Sequence, residues 1–224
     1  MNEVKRNIEI FSAEVEKYKR DYWRKDEEWI TTTFFEKKNG SLLVLGCGAG
    51  RTLIPLHQHG YRVTAIDITP AMVEAAQEKV KNYPIEVSVM DACSLRFENN
   101  TFDYAFFPFH GIDYVYPDIY KAVHEIHRVL KPDGVFVFNS HNRLALKQLH
   151  RFFQGPYATD PSDLITYRTT PWDKVKLKKY FKQVIVFGRT SIMVSWKHAS
   201  WKDVCYKALP WFDKSTYFVC RGKR

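Results

Sequence analysis

Three glycines at alternating positions, Gly46, Gly48 and Gly50, follow directly on the apolar run 42–45 in the stretch LLVLGCGAG. A buried strand feeding such a loop at the mouth of a helix makes a ligand site, because glycine lets the main chain turn sharply and approach a ligand closely. The helix N-terminus behind the loop offers N–H groups to a carboxylate or phosphate. Asp67 follows 17 positions beyond Gly50, at the end of the next apolar run. A carboxylate placed there accepts hydrogen bonds from both hydroxyls of a ribose. Together these residues imply a nucleotide-like cofactor. A dinucleotide fingerprint, GxGxxG/A, would require a small residue at Arg51 counted from Gly46, or at Leu53 counted from Gly48. Neither is small, so the close helix–strand contact around a pyrophosphate is missing, and a ligand with ribose but without phosphates fits better.

The elements that must position these residues read as alternating short apolar runs and amphipathic stretches, the pattern of a parallel α/β sheet. Strands are expected at 42–45, 62–66, 85–90, 102–107 and 135–138, with two last strands at 183–187 and 216–220. Each run is rich in β-branched or aromatic residues. A helix is expected from about 51 to 59, and another opens with Thr69 as cap and Pro70 at its first position. A third spans about 117–130, where Ile119, Val123, Ile126 and Leu130 form one stripe facing the sheet. Lys131-Pro132-Asp133-Gly134 then stops the helix and turns the chain. Thr170-Pro171-Trp172-Asp173 starts a further helix leading to Phe181. Residues 1–38 read as one or two charged amphipathic helices whose aromatics, among them Phe11, Tyr18, Tyr22, Trp23 and Trp29, need a packing partner and suit a cap or lid. The stretch 188–215, with Trp196, Trp201 and Trp211 among lysines, fits no regular element.

At 224 residues, 45% hydrophobic and 26% charged, the chain is expected to fold as one globular domain, and its composition excludes disorder, collagen-like repeats and a disulfide scaffold. No apolar run approaches the ~20 residues of a membrane span, and MNEVKRNIEIFSAEVEK is charged throughout, so a soluble, cytoplasmic protein is expected. Cys47, Cys93, Cys205 and Cys220 have neither paired metal-ligand spacing nor secreted-fold density, and reduced thiols are expected. The net charge of +9 is unevenly spread: residues 151–224 hold 15 Lys and Arg against 5 Asp and no Glu. That skew suits an anionic partner, either an acidic small molecule or nucleic acid, or else a solvated basic face.

Four segments in order, LGCGAG, AIDIT (65–69), MDAC (90–93) ahead of FDYAFF, and RVLKPDGVFVF (128–138), resemble the class I S-adenosylmethionine-dependent methyltransferases. The resemblance covers about residues 42–142 and the two last strands. It implies a Rossmann-like α/β fold with a seven-stranded, mostly parallel sheet of order 3-2-1-4-5-7-6, helices on both faces and an antiparallel last strand. In those terms residues 1–38 would be a helical cap, 39–142 the cofactor-binding core, and 143–224 the acceptor-side region. The implied S-adenosyl-L-methionine site comprises Gly46, Cys47, Gly48 and Gly50, with Gly46 and Gly48 beside the homocysteine moiety. Asp67 would take the ribose, Ile68 would lie against adenine, Asp91 and the Ala92 amide would bind the adenine edge, and Phe107 would sit beside the methionyl part. Two departures stand out: Val44 occupies the position of a frequent acidic residue, and Asp133 replaces the first glycine of a PGG turn.

Methyl transfer from a sulfonium is a displacement, so alignment and exclusion of water come first. For a hydroxyl or protonated amine acceptor a base helps, and His110 and His141 are the candidates, just beyond the fourth and fifth strands. Tyr114 is a further polar aromatic there. His57, His59, His124 and His127 lack accompanying carboxylates or thiols at metal-ligand spacing, and no metal is expected. Phe107-Pro108-Phe109-His110 is not the [DNS]PP[YFW] segment of base amino-methylases. The expected acceptor is a small molecule, met at its oxygen or nitrogen. RNA methylation through the basic last third, and a non-catalytic cofactor-binding module, are the alternatives.

Overall fold

The chain runs through α1 (Glu3–Ala13), α2 (Val15–Tyr18), α3 (Lys25–Phe34), β1 (Ser41–Leu45), α4 (Leu53–Gln58), β2 (Arg62–Asp67), α5 (Pro70–Val80), β3 (Glu86–Val89) and β4 (Phe102–Phe107). A 3-10 turn at Gly111–Tyr114 leads to α6 (Ile119–Val129), β5 (Leu130–His141), β6 (Tyr157–Thr159), β7 (Ile165–Tyr167), α7 (Asp173–Leu177), β8 (Phe181–Gly188) and β9 (Ser215–Lys223). This computed structural model describes residues 3–116, 118–145, 157–159, 164–189 and 213–224. The expected Trp- and Lys-bearing stretch 188–215 lies outside the described residues apart from its ends.

β1 is apolar on both faces and lies inside the sheet, parallel to β2 on one side and β4 on the other. The full order is β3-β2-β1-β4-β5-β9-β8, with β9 antiparallel to both neighbours, as the resemblance implies. β6 and β7 form a separate antiparallel pair. Strand periodicity sorts side chains onto two faces. Leu42, Val44, Tyr104, Phe106, Tyr217 and Val219 pack with α3, α4 and α5. Leu43, Leu45, Ala105, Phe107, Phe136 and Phe138 pack with α6 and α7. The predicted stripe Ile119, Val123, Ile126 and Leu130 is fully buried against that second face. Among the described residues no helix is long and apolar enough to cross a membrane.

Several boundaries differ from the sequence expectation. α4 is confined to six residues because the main chain is still turning through 48–52. Thr69 stands at the N-cap of α5, but its side chain makes no capping bond. α7 ends at Leu177; Asp173 holds its start by accepting from the Thr170 amide at 2.7 Å and hydroxyl at 3.1 Å. The N-terminal stretch forms three helices rather than one or two.

At the end of the strands away from the glycine loop, Asp103 gathers the Ser41 amide at 2.9 Å, the Lys37 ammonium at 2.8 Å and the Lys131 ammonium at 3.0 Å. Burial alone would raise its carboxyl, but the bonds from Lys37, Ser41 and Lys131 outweigh it and hold the group well below the ordinary carboxylate range. A depressed carboxyl contributes stability above its unfolded pKa, and the contribution is lost as pH falls through the folded value. Asp103→Asn should therefore lower the urea midpoint at pH 7 and leave little difference from the parent at the acid end of the folded range. An equal gap at both pH values would show that the charge is not what ties 37–41 to β4.

Candidate functional site

The loop after β1 can turn because Gly46, Gly48 and Gly50 take φ of +58°, +53° and +82°, a region L side chains rarely adopt. A methyl group on Gly46 would come within 2.6 Å of the Phe107 ring, whereas one on Gly48 would meet nothing within 4 Å. Gly48 thus presents bare main chain to a cavity of about 370 Å³ at the C-terminal ends of β1, β2 and β4. Open α/β sheets bind ligands at this end. Asp67 fixes the loop: Oδ2 accepts from the Gly48 amide at 2.8 Å and Oδ1 from the Thr69 amide at 2.9 Å. Burial pushes this carboxyl upward, against the lowering effect of the Thr69 and Gly48 bonds.

Of the expected cofactor residues, Gly46, Cys47, Gly48, Asp67, Ile68, Asp91, Ala92 and Phe107 all line this cavity. Gly50 does not; the space beside its Cα is filled by Ala76 of α5, 3.2 Å from where a methyl would stand. Burial, then the charge of Asp67, pushes the Cys47 thiol well above its ordinary value, so it is a neutral wall group. Asp91 accepts from the Cys93 amide at 2.8 Å. Its loop is anchored to α6, where Arg128 donates to the carbonyls of Phe97 at 2.7 Å and Leu95 at 2.8 Å, and Glu125 accepts from the Leu95 amide at 2.9 Å. Val44 is completely buried in the core, so Asp67 and Asp91 are the carboxylates of the cavity wall among the described residues.

The outer wall comes from the N-terminal helices. Val4, Ile8 and Phe11 of α1, with Tyr18 and Tyr22, close the cavity opposite the glycine loop. Phe11 meets Tyr114 edge-on at 5.0 Å, which ties α1 to the 3-10 turn after β4. Arg51 joins this wall to the loop: it is bidentate to the fully buried Glu27 at 2.6 and 2.7 Å. Its guanidinium also lies 5.0 Å from the ring centres of Tyr22 and Phe109. Next to Glu27, Asp26 accepts from Arg24 at 2.8 Å, Arg189 at 3.0 Å and the Tyr217 hydroxyl at 2.9 Å, fastening α3 to the far strands. Sequence reading missed Glu27 and Arg51 because their partnership spans 24 positions and neither belongs to a motif.

His110 and His141 are brought together, but not onto the cavity wall. Their rings stack at 4.0 Å with 19° between planes. Phe109 and His110 take φ of +52° and +62°, a left-handed pair in non-glycine residues. Such backbone costs about 1–3 kcal/mol per residue and clusters at functional sites. His110 is buried and its Nε2 lies 2.6 Å from Ser215 Oγ; burial, then the proximity of His141, Arg24 and Arg189, pushes it well below 6.5 and keeps it neutral. His141 Nδ1 lies 2.7 Å from Asp113 Oδ2, and Asp113 also accepts the His141 amide at 2.8 Å. A second cavity of about 330 Å³ is lined by Arg143, Arg168 and Lys176, with Trp172 and Asp173 on its wall.

A methyltransferase domain family matches residues 43–138. The chain is 29% identical over 147 residues to the putative methyltransferase YqeM of Bacillus subtilis, covering 64% of this chain and 57% of that protein. It is 31% identical over 180 residues to a demethylmenaquinone methyltransferase of Staphylococcus haemolyticus, covering 72% of this chain and 73% of that protein. In fold it is similar to the PH0226 protein of Pyrococcus horikoshii, with a TM-score of 0.64 and 22% identity over 88% of this chain and 87% of that one. Across three of the curated relatives the chain spans 57%, 30% and 47% of their length.

Removing Glu27 would leave the largely buried Arg51 guanidinium without its carboxylate, a loss that costs about 3–5 kcal/mol in buried pairs. Glu27→Ala should lower the melting midpoint by roughly 6–20 °C for a chain of this size, and the double replacement with Arg51→Ala should recover part of that in calorimetry. A midpoint within 2 °C of the parent would show that the pair does not hold the wall.

Proposed function

This chain belongs to the class I S-adenosylmethionine-dependent methyltransferases, and on that premise we propose that it moves the cofactor's methyl group to an oxygen or nitrogen of a small-molecule acceptor. The observation that carries the reading is the convergence of Gly46, Gly48, Asp67, Asp91 and Phe107 on one cavity at the sheet's C-terminal end. The residues present fit S-adenosylmethionine. Gly48 leaves open the space that a side chain would fill, and each Asp67 oxygen, already bonded to one amide, keeps lone-pair capacity for a ribose hydroxyl. Ile68 and Ala92 offer apolar surface to the adenine, and Asp91 an acceptor for its amino group. Arg20 puts positive charge on the same wall, suited to the cofactor's carboxylate, while Lys17 and Arg51 there are paired with Glu14 and Glu27. With Val44 in the usual acidic place, the ammonium must take another partner.

When bound, the cofactor supplies a methyl group activated by a sulfonium. The chain's part is to align and to exclude water. Phe107, Pro108 and the α1 side chains Ile8 and Phe11 belong to the apolar share of the wall. The demethylmenaquinone methyltransferase among the relatives acts on a small molecule, which favours such an acceptor over RNA.

Calorimetric titration with S-adenosylhomocysteine should give micromolar binding, with NADH inert as a control. Asp67→Ala should weaken that binding by about 1–3 kcal/mol through lost charge-assisted bonds and a loosened loop. Unchanged affinity in the variant would put the ribose elsewhere. Turnover of a panel of quinol, amine and phosphorylated small molecules, read as S-adenosylhomocysteine formed, tests the acceptor class; turnover with RNA alone would overturn it.

A further inference from the structure

We propose that His141 is the proton acceptor of the methyl-transfer reaction and that Asp113 is its positioning residue, an inference that rests on the function proposed above. The two histidines named by the sequence are not equivalent. His110 is buried, and its Nε2 is engaged by Ser215. It is a buttress. His141 keeps 34% of its side chain exposed, while its Nδ1 is turned inward to a carboxylate with no exposure at all. The opposite edge of the ring, with Nε2, has no hydrogen-bond partner among the described residues.

Asp113 is held by the structure around it. It lies on the 3-10 turn between Gly111 and Tyr114, both of which line the cofactor cavity. One oxygen, Oδ2, accepts both the His141 amide and Nδ1, so the ring is fixed in direction as well as distance. The His110 ring stacked at 4.0 Å blocks rotation from the other side. A carboxylate accepting from Nδ1–H places the proton of the neutral ring on Nδ1 and the lone pair on Nε2. Around this pair four buried polar atoms, Asp113 Oδ1, Asn139 Nδ2, Thr169 Oγ1 and Thr216 Oγ1, have no hydrogen-bond partner among the described residues. Buried groups of this kind are ordinarily satisfied by ordered water or ligand. The surroundings of Asp113 and His141 are therefore polar.

The chemistry balances without any further reactant. The acceptor's oxygen or nitrogen forms a bond to the methyl carbon as the methyl–sulfur bond breaks, sulfur keeping the pair. The proton displaced from the acceptor goes to His141 Nε2, and the imidazolium, opposed by the Asp113 carboxylate, returns it to water.

Long-range nitrogen–proton spectra of the whole protein, with His141 assigned by comparison with His141→Gln, read the tautomer directly. The expected result is a neutral ring protonated on Nδ1, with a low-field Nδ1 proton that moves upfield in Asp113→Asn. A neutral ring protonated on Nε2 overturns the proposal whether or not an acceptor is known. With an acceptor from the panel, His141→Gln should cut turnover ~10²–10⁴-fold at unchanged S-adenosylhomocysteine affinity, with partial rescue by added imidazole, and His110→Gln should cut it far less. A reversed order of the two variants also overturns it. Loss of S-adenosylhomocysteine binding in the parent would instead mark failure of the cofactor reading.

Discussion

A carboxylate shared between two main-chain amides holds the cavity open. Asp67 sits at the end of β2 and draws in Gly48 from one loop and Thr69 from the next. Burying a carboxylate is costly unless its oxygens are bonded, and here both are. The direction of its shift shows that burial outweighs those bonds. A ligand that donates further hydrogen bonds to Asp67 would relieve that imbalance, so the residue that shapes the loop is also the one with most to gain from a ribose. The left-handed glycines follow from the same constraint, since the loop must bring an amide to Asp67 without driving a side chain into Phe107.

The outer half of the cavity depends on a different kind of bond. The N-terminal helices have no strand to pair with, and α1 packs chiefly on α5 and on the turn after β4. Beside the core packing of Ile30 and Phe35, charge fastens this segment: Glu27 with Arg51 behind the glycine loop, and Asp26 with Arg24, Arg189 and Tyr217 toward the far strands. Burial favours the neutral form of Asp26, yet the bonds from Arg24 and Tyr217 outweigh it and hold the carboxyl below its ordinary value. Arg51 also stacks between Tyr22 and Phe109, so one side chain links the wall, the loop and the left-handed Phe109–His110 backbone.

What sequence could read was whatever depends on local pattern. The strand runs, the amphipathic stripe of α6, the glycine loop and the two aspartates at strand ends are all set by periodicity or by neighbours in sequence, and their place in the sheet came with the family resemblance. Gly50 shows the limit: it belongs to the same motif as Gly46 and Gly48, but its missing side chain makes room for Ala76 instead of for a ligand. The histidines show another. Position after β4 and β5 brought both to notice, but their distinct roles turn on which ring nitrogen meets which partner, and Asp113 and Ser215 stand 28 and 105 positions from the histidines they bind. The ion pairs of α3 were illegible for the same reason. Long-range pairing of charged side chains leaves no period in sequence.

The division of labour between the two ends of the site follows from the charge that moves. Transfer of a methyl group from a sulfonium to a neutral oxygen or nitrogen passes positive charge from donor to acceptor without creating a new one, so the reacting atoms need little polar help. An apolar wall of the kind built by Phe107, Pro108 and Phe11 is compatible with that step and keeps water from competing as nucleophile. The positive charge left on the acceptor is where polar help becomes useful, and it arises on the acceptor side of the cleft. A proton acceptor on that side, as proposed for His141, would act without placing a fixed negative charge beside the sulfonium, where it would stabilise the ground state and slow departure of the methyl group.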